Sequence, residues 1–148
     1  MPIATGFKGE IMKKIESLID WIGEVVKSKK VIIVEGPYDK KALENIGVTN
    51  KIVVINDGKG LFETVEKIVG IVNAFQENSG KNAGKKEIII LTDFDKKGKE
   101  LYEKMKKDLI REGIKIDTEF KEWLRRRTKI CHIEGLDTYV EHDGYVRN

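Results

Sequence analysis

The amino-acid sequence predicts an α/β fold. A central parallel sheet of about four strands is flanked by helices, with an extra helix ahead of the first strand. Three observations carry this. Runs of β-branched residues without polar alternation recur along the chain, as strands buried on both faces require. Stretches with apolar residues at spacings of three and four lie between them. Glycine, proline and asparagine punctuate the joins. Strands and helices that alternate in this way build a parallel sheet with right-handed crossovers.

The elements follow in order. Ile11, Met12, Ile15, Leu18, Ile19, Ile22, Val25 and Val26 fall on one face of a helix over about 9–28, and core packing accounts for that stripe. Val31, Ile32, Ile33 and Val34 form the first strand. Pro37 suits the first turn of a short helix over 38–46, with Gly47 as its stop. A second strand covers 51–55, and Asn56 to Gly60 turns the chain into a helix over 61–76. Residues 77–86 are polar and glycine-rich, a loop before the third strand at 87–92. Leu101, Met105 and Leu109 mark a helix over 97–112. The tail carries a short helix at 119–127 and a fourth strand near 128–133, and Glu134 to Asp137 form a turn after it.

Composition narrows the function classes. The chain has 148 residues, one domain's length, and no linker divides it. Charged residues make up 36% against a usual ~25%, while Gln76 is the one glutamine. That Lys/Glu-rich, Gln-poor surface is the habit of proteins from hot environments. Net charge is only +3, from 28 basic and 25 acidic residues, which excludes a histone-like polycation. Cys131 is alone, so a cytoplasmic protein without internal disulfides is expected. No apolar run reaches the ~20 residues of a membrane span, and charges at Lys13, Lys14, Glu16 and Asp20 interrupt any signal-peptide core.

Carboxylates cluster where such a fold does its chemistry, beyond the carboxyl ends of parallel strands. Glu35 and Gly36 follow the first strand, with Asp39 four residues after Glu35. Asp93, Phe94 and Asp95 follow the third, with Gly98 beyond. Carboxylates at i and i+2 share a side if the chain stays extended. Three acids that close repel unless a cation or a proton sits among them. Mg²⁺ meets the need, since it takes oxygen ligands and keeps waters for a phosphate. Asp95 also fits a helix cap, and Asp39 fits a first-turn acid favoured by the helix dipole. Glu35 has no such everyday role, because a carboxylate after a buried strand is costly without a partner.

The elements Val34-Glu35-Gly36-Pro37-Tyr38-Asp39 and Asp93-Phe94-Asp95-Lys96-Lys97-Gly98 resemble the two signatures of the Toprim domain. That domain occurs in DnaG-type primases, topoisomerases, RecR-type recombination proteins, OLD-family nucleases and ribosomal-RNA-maturing nucleases. The whole chain resembles the small, primase-like Toprim proteins of archaea. The resemblance implies a Rossmann-like Toprim core over 30–113, preceded by the helix at 8–28 and followed by an extension over 114–148. It implies phosphodiester chemistry with Glu35 as general acid or base and as a metal ligand. Asp93 and Asp95 would hold one or two Mg²⁺ ions, with Mn²⁺ as a substitute. Gly36, Asp39 and Gly98 would support the site, the glycines by allowing close approach or tight turns.

Length then selects among relatives. A topoisomerase needs a tyrosine on another domain, and a replicative primase needs a zinc domain that one cysteine, His132 and His142 cannot make. Each histidine reads as a structural or surface residue. A nuclease needs only metal, carboxylates and a basic track, and the ribosomal-RNA-maturing relatives favour RNA over DNA by analogy. Arg125, Arg126 and Arg127 beside Trp123 could form that track, as could Lys59, Lys96 and Lys97 near the strand ends. The alternative is a Toprim module that binds metal and nucleic acid within a larger complex without turnover. A receiver-like regulatory domain would also place acids at strand ends, but gives Glu35-Gly36-x-x-Asp39 no role.

Overall fold

The computed structural model describes residues 15–55, 58, 60–79 and 86–140. Helix α1 (Leu18–Ser28) precedes strand β1 (Val31–Val34), and α2 (Pro37–Asn45) leads to β2 (Ile52–Val54). Helix α3 (Leu61–Ser79) leads to β3 (Glu87–Leu91), and α4 (Lys96–Arg111) to β4 (Lys115–Asp117). Helix α5 (Glu119–Arg127), a 3-10 turn at Ile133–Gly135 and a last helical turn, α6 (Leu136–Tyr139), complete the described chain. The four strands form one all-parallel sheet in the order β2-β1-β3-β4. The predicted fold class is therefore the observed one.

Alternation along the strands divides the core between the two faces of the sheet. Ile32, Val34, Ile89 and Leu91 pack with Trp21, Val25, Leu43, Trp123, Leu124 and Leu136, under α1, α2, α5 and α6. Val31, Ile33, Ile88 and Ile90 pack with Val65, Ile68, Val72, Met105 and Leu109, under α3 and α4. All four residues of β1 are buried, which explains the unbroken β-branched run. The indoles bind the first face to its neighbours. Trp21 Nε1 donates to the Phe120 carbonyl at 2.9 Å, and Trp123 Nε1 donates to the Ile15 carbonyl at 3.1 Å.

Three expectations need correction. Helix α3 runs to Ser79, three residues into the loop expected over 77–86. The fourth strand lies at Lys115–Asp117, not at 128–133. It pairs with β3 over Glu87 to Ile89, and Gly113, at φ +86°, makes the turn from α4 into it. Residues 128–132 are irregular, and the turn expected after a fourth strand is the 3-10 turn and α6. The first helix begins at Leu18 and does not run through from residue 9. Ser17 is its extended N-cap, and its side chain accepts from the Asp20 amide. Residues 8–14 of that predicted helix, Lys59, residues 80–85 of the predicted loop, and His142 lie outside the described residues.

Candidate metal centre

The strand order reverses direction between β1 and β3. Chain progress runs from β1 to β2 on one side, then to β3 and β4 on the other. Such a switch point opens a crevice beyond the strand ends, the usual binding place of open α/β sheets. Val34 and Leu91 are paired across β1 and β3, so the next residues, Glu35 and Thr92, stand on either side of that crevice. Glu35 Oε2 accepts a 2.8 Å hydrogen bond from the Asp93 amide. The glutamate thereby receives the polar partner that its position demands.

Asp93 and Asp95 are each held by one oxygen. Asp93 Oδ1 accepts from the Ile133 amide at 2.9 Å. Asp95 is the N-cap of α4, and its Oδ1 accepts from the Gly98 amide at 2.8 Å. Capping does not exhaust the residue, because Asp95 Oδ2 turns toward His132. His132 Nδ1 lies 3.2 Å from Asp93 Oδ2 and 3.9 Å from Asp95 Oδ2. One atom from each of Asp93, Asp95 and His132 lies within 4.8 Å of the others. Two carboxylate oxygens and an imidazole nitrogen in one half-open place form a donor set that suits a divalent cation. Glu35 stands beside this triplet through the Asp93 amide.

Electrostatics agree with the crowding of acids. The hydrogen bond to Asp93 and the Asp93 charge raise the His132 pKa above its ordinary value against desolvation, and the charges of Asp95 and Glu134 add to the rise. Asp39 is buried, and its Oδ2 accepts from the Gly36 amide at 3.0 Å, closing the first turn of α2. Burial raises its pKa, and the Asp93, Glu35 and Glu134 charges add to the rise against the Gly36 hydrogen bond. Asp39 thus braces the turn behind Glu35.

The two motif glycines differ. A Cβ on Gly98 would lie 2.2 Å from the Asp93 carbonyl oxygen, whereas one on Gly36 would meet nothing within 4 Å. The close approach at Gly98 is therefore to the protein's own backbone. Lys96 and Lys97 are exposed in the first turn of α4, which holds no acid. Arg125 and Arg126 are exposed but bridge to Glu122 on their own helix, and the Arg127 guanidinium lies 5.3 Å from the Trp123 ring centroid.

Sequence reasoning missed two residues here. His132 was expected to be merely structural or superficial, and no spacing links it to the acids. It arrives because Phe94 N–H donates to the Cys131 carbonyl at 2.9 Å and Ile133 is buried. Lys121 was one lysine among many. Its Nζ donates to the Thr92 carbonyl at 2.8 Å and Oγ1 at 2.7 Å, and it lies over the Tyr102 and Phe94 rings. Burial pushes its pKa down to about 8, against the attraction of Glu35 and Asp93.

Comparison with known proteins agrees with this geometry. A family model described as the Toprim domain matches residues 29–118. The UPF0292 protein of Thermococcus onnurineus is 33% identical over 128 residues, covering 86% of this chain and 82% of the relative. The UPF0292 protein of Pyrococcus abyssi is 32% identical, covering 86% and 83%. That of Methanocaldococcus jannaschii is 29% identical, covering 84% and 91%. A solved structure of a protein from Aquifex aeolicus matches with a TM-score of 0.64 and 30% identity, over 81% of this chain and 98% of that one. Toprim domains bind divalent metal and are associated with nucleic acid. No helix among the described residues is long and apolar enough to cross a membrane. With both acidic turns meeting at the switch point inside the matched span, the chain belongs to the Toprim domain family.

Proposed function

We propose that this protein is a metal-dependent nuclease that cleaves phosphodiester bonds in nucleic acid, with RNA favoured over DNA. The observation that carries the reading is the junction of Glu35 with the Asp93–Asp95 turn, fixed by the Glu35 Oε2 to Asp93 amide bond. Asp93 and Asp95 would hold Mg²⁺, one ion or two, with Mn²⁺ able to replace it. A bound ion would supply charge neutralisation at the phosphate and a more acidic bound water. Glu35 keeps its second carboxylate oxygen for a proton, taken from the attacking water or given to the leaving oxygen. Asp39 holds the Glu35 turn, and Lys96 and Lys97 at the α4 N-terminus attract phosphate. The preference for RNA rests on analogy with ribosomal-RNA-maturing members of the family.

A cleavage screen on structured and single-stranded RNA and DNA, with Mg²⁺ or Mn²⁺, tests this. Glu35→Gln and Asp93→Asn are expected to lower cleavage by about 100-fold or more while unfolding like wild type. Activity that persists in both variants sinks the reading. The alternative is a non-catalytic Toprim module that holds metal and nucleic acid within a larger complex, and it predicts binding of the same substrates without turnover.

A further inference from the structure

We propose that His132 is a metal ligand of the Asp93–Asp95 centre and biases it toward ions that accept nitrogen, such as Mn²⁺ and Co²⁺, over Mg²⁺. The inference rests on the metal-binding part of the proposed function and goes beyond it in naming the ion class and the residue that selects it.

The argument is one of orientation. Each aspartate has one oxygen tied to a backbone N–H, Asp93 by Ile133 and Asp95 by Gly98. That leaves Oδ2 of each directed to the same place, where His132 Nδ1 already stands. Such backbone bonds do for carboxylates what outer-shell partners do in metal sites generally: they fix which lone pairs face the ion. The histidine is also pre-placed. Its preceding residue bonds to Phe94 through the Cys131 carbonyl, and its following residue bonds to Asp93 and is buried. The ring is 54% exposed on its side chain, so the proton of the neutral tautomer can sit on Nε2 in water while Nδ1 offers its lone pair.

The donor chemistry then decides the ion. Mg²⁺ prefers oxygen donors and gives up water reluctantly, and gains little from an imidazole. First-row ions gain more, Co²⁺ more than Mn²⁺. A purely electrostatic His132–Asp93 pair would make a different prediction. Removing the histidine would then leave all divalent ions equally well bound, or better bound.

The test is equilibrium binding of Mn²⁺, followed by the EPR signal of the free ion, with Mg²⁺ measured by competition. Wild type is compared with His132→Ala and Asp93→Asn. Wild type is expected to bind Mn²⁺ at least ~10-fold more tightly than Mg²⁺. His132→Ala is expected to lose ~10–100-fold for Mn²⁺ and less than ~3-fold for Mg²⁺. With Co²⁺, wild type is expected to show hyperfine-shifted imidazole C–H proton resonances that His132→Ala lacks. Unchanged Mn²⁺ preference in His132→Ala overturns the inference. If Asp93→Asn loses Mn²⁺ in that case, the carboxylate centre survives and only the role of His132 falls. If Asp93→Asn binds like wild type, the centre itself falls, and this inference with it. Intact metal selectivity without any nucleic-acid cleavage would remove the nuclease reading and leave this one standing.

Discussion

Replacing Gly98 with alanine probes the tightest spot in the candidate centre. The added Cβ would lie 2.2 Å from the Asp93 carbonyl oxygen and 2.6 Å from its carbonyl carbon, where ordinary contact begins at 3.4 Å. The backbone must therefore yield by about 1.2 Å at that oxygen, the difference between those two distances. Backbone cannot swing aside as a flexible side chain can, so overpacking is expected to cost about 1–3 kcal/mol, partly offset by up to ~1 kcal/mol from better helix propensity. The displaced residue carries Asp93, and metal sites tolerate about 0.2 Å. Gly98→Ala is thus expected to lower the thermal midpoint by several degrees and to weaken Mn²⁺ binding by at least ~10-fold. Gly23→Ala and Gly70→Ala supply the control. Both glycines are exposed within helices, and a Cβ there meets nothing within 4 Å. The same chemical change is expected to stabilise there by up to ~1 kcal/mol. A Gly98→Ala protein with wild-type stability and wild-type metal affinity would refute the reasoning.

Other outcomes follow from the same contacts. Lys30, just ahead of β1, bonds to Asp117, the last residue of β4, at 2.6 Å and pairs with Glu87, the first residue of β3. Burial pulls its pKa down, but these partners raise it above 10.5 overall. Lys30→Met is expected to cost about 2 kcal/mol at pH 7. Urea unfolding should show the wild-type advantage fully present below pH 10.5 and lost as pH rises through the higher folded value. Lys121 behaves in the opposite sense, because its folded pKa is lowered to about 8. Wild-type stability relative to Lys121→Met is expected to climb from pH 8 toward 10.5, and a flat difference would contradict this. Trp21→Phe removes the donor to the Phe120 carbonyl. It is expected to lower stability by about 1–3 kcal/mol, read as a reduced urea midpoint at unchanged m-value.

Most of the sheet was legible because its strands are buried on both faces. Val31–Val34 and Glu87–Leu91 leave no polar alternation to confuse the reading. β4 was not legible for the opposite reason. Lys115–Asp117 is a three-residue edge strand, and its charges hide it among connecting residues. Ile130 and Ile133 imitated a strand, yet their segment is held by single bonds to Phe94 and Asp93 and forms no ladder. The carboxylates could be found because their spacing lies within two short motifs. His132 and Lys121 could not, because each reaches its place through tertiary packing that no local pattern encodes. The engagement of Arg125 and Arg126 was readable in principle, since Glu122 stands three and four residues before them.

The centre gathers residues 35–39, 92–95 and 131–133, and the last stretch supplies both His132 and the amide that turns Asp93. During synthesis the first two stretches emerge well before the third. Until the third stretch has left the ribosome and docked, Asp93 Oδ1 lacks the Ile133 amide that fixes it, and the donor set is incomplete. Metal binding there would in this sense depend on a late docking step, and a bound ion would report that residues 131–133 are in place.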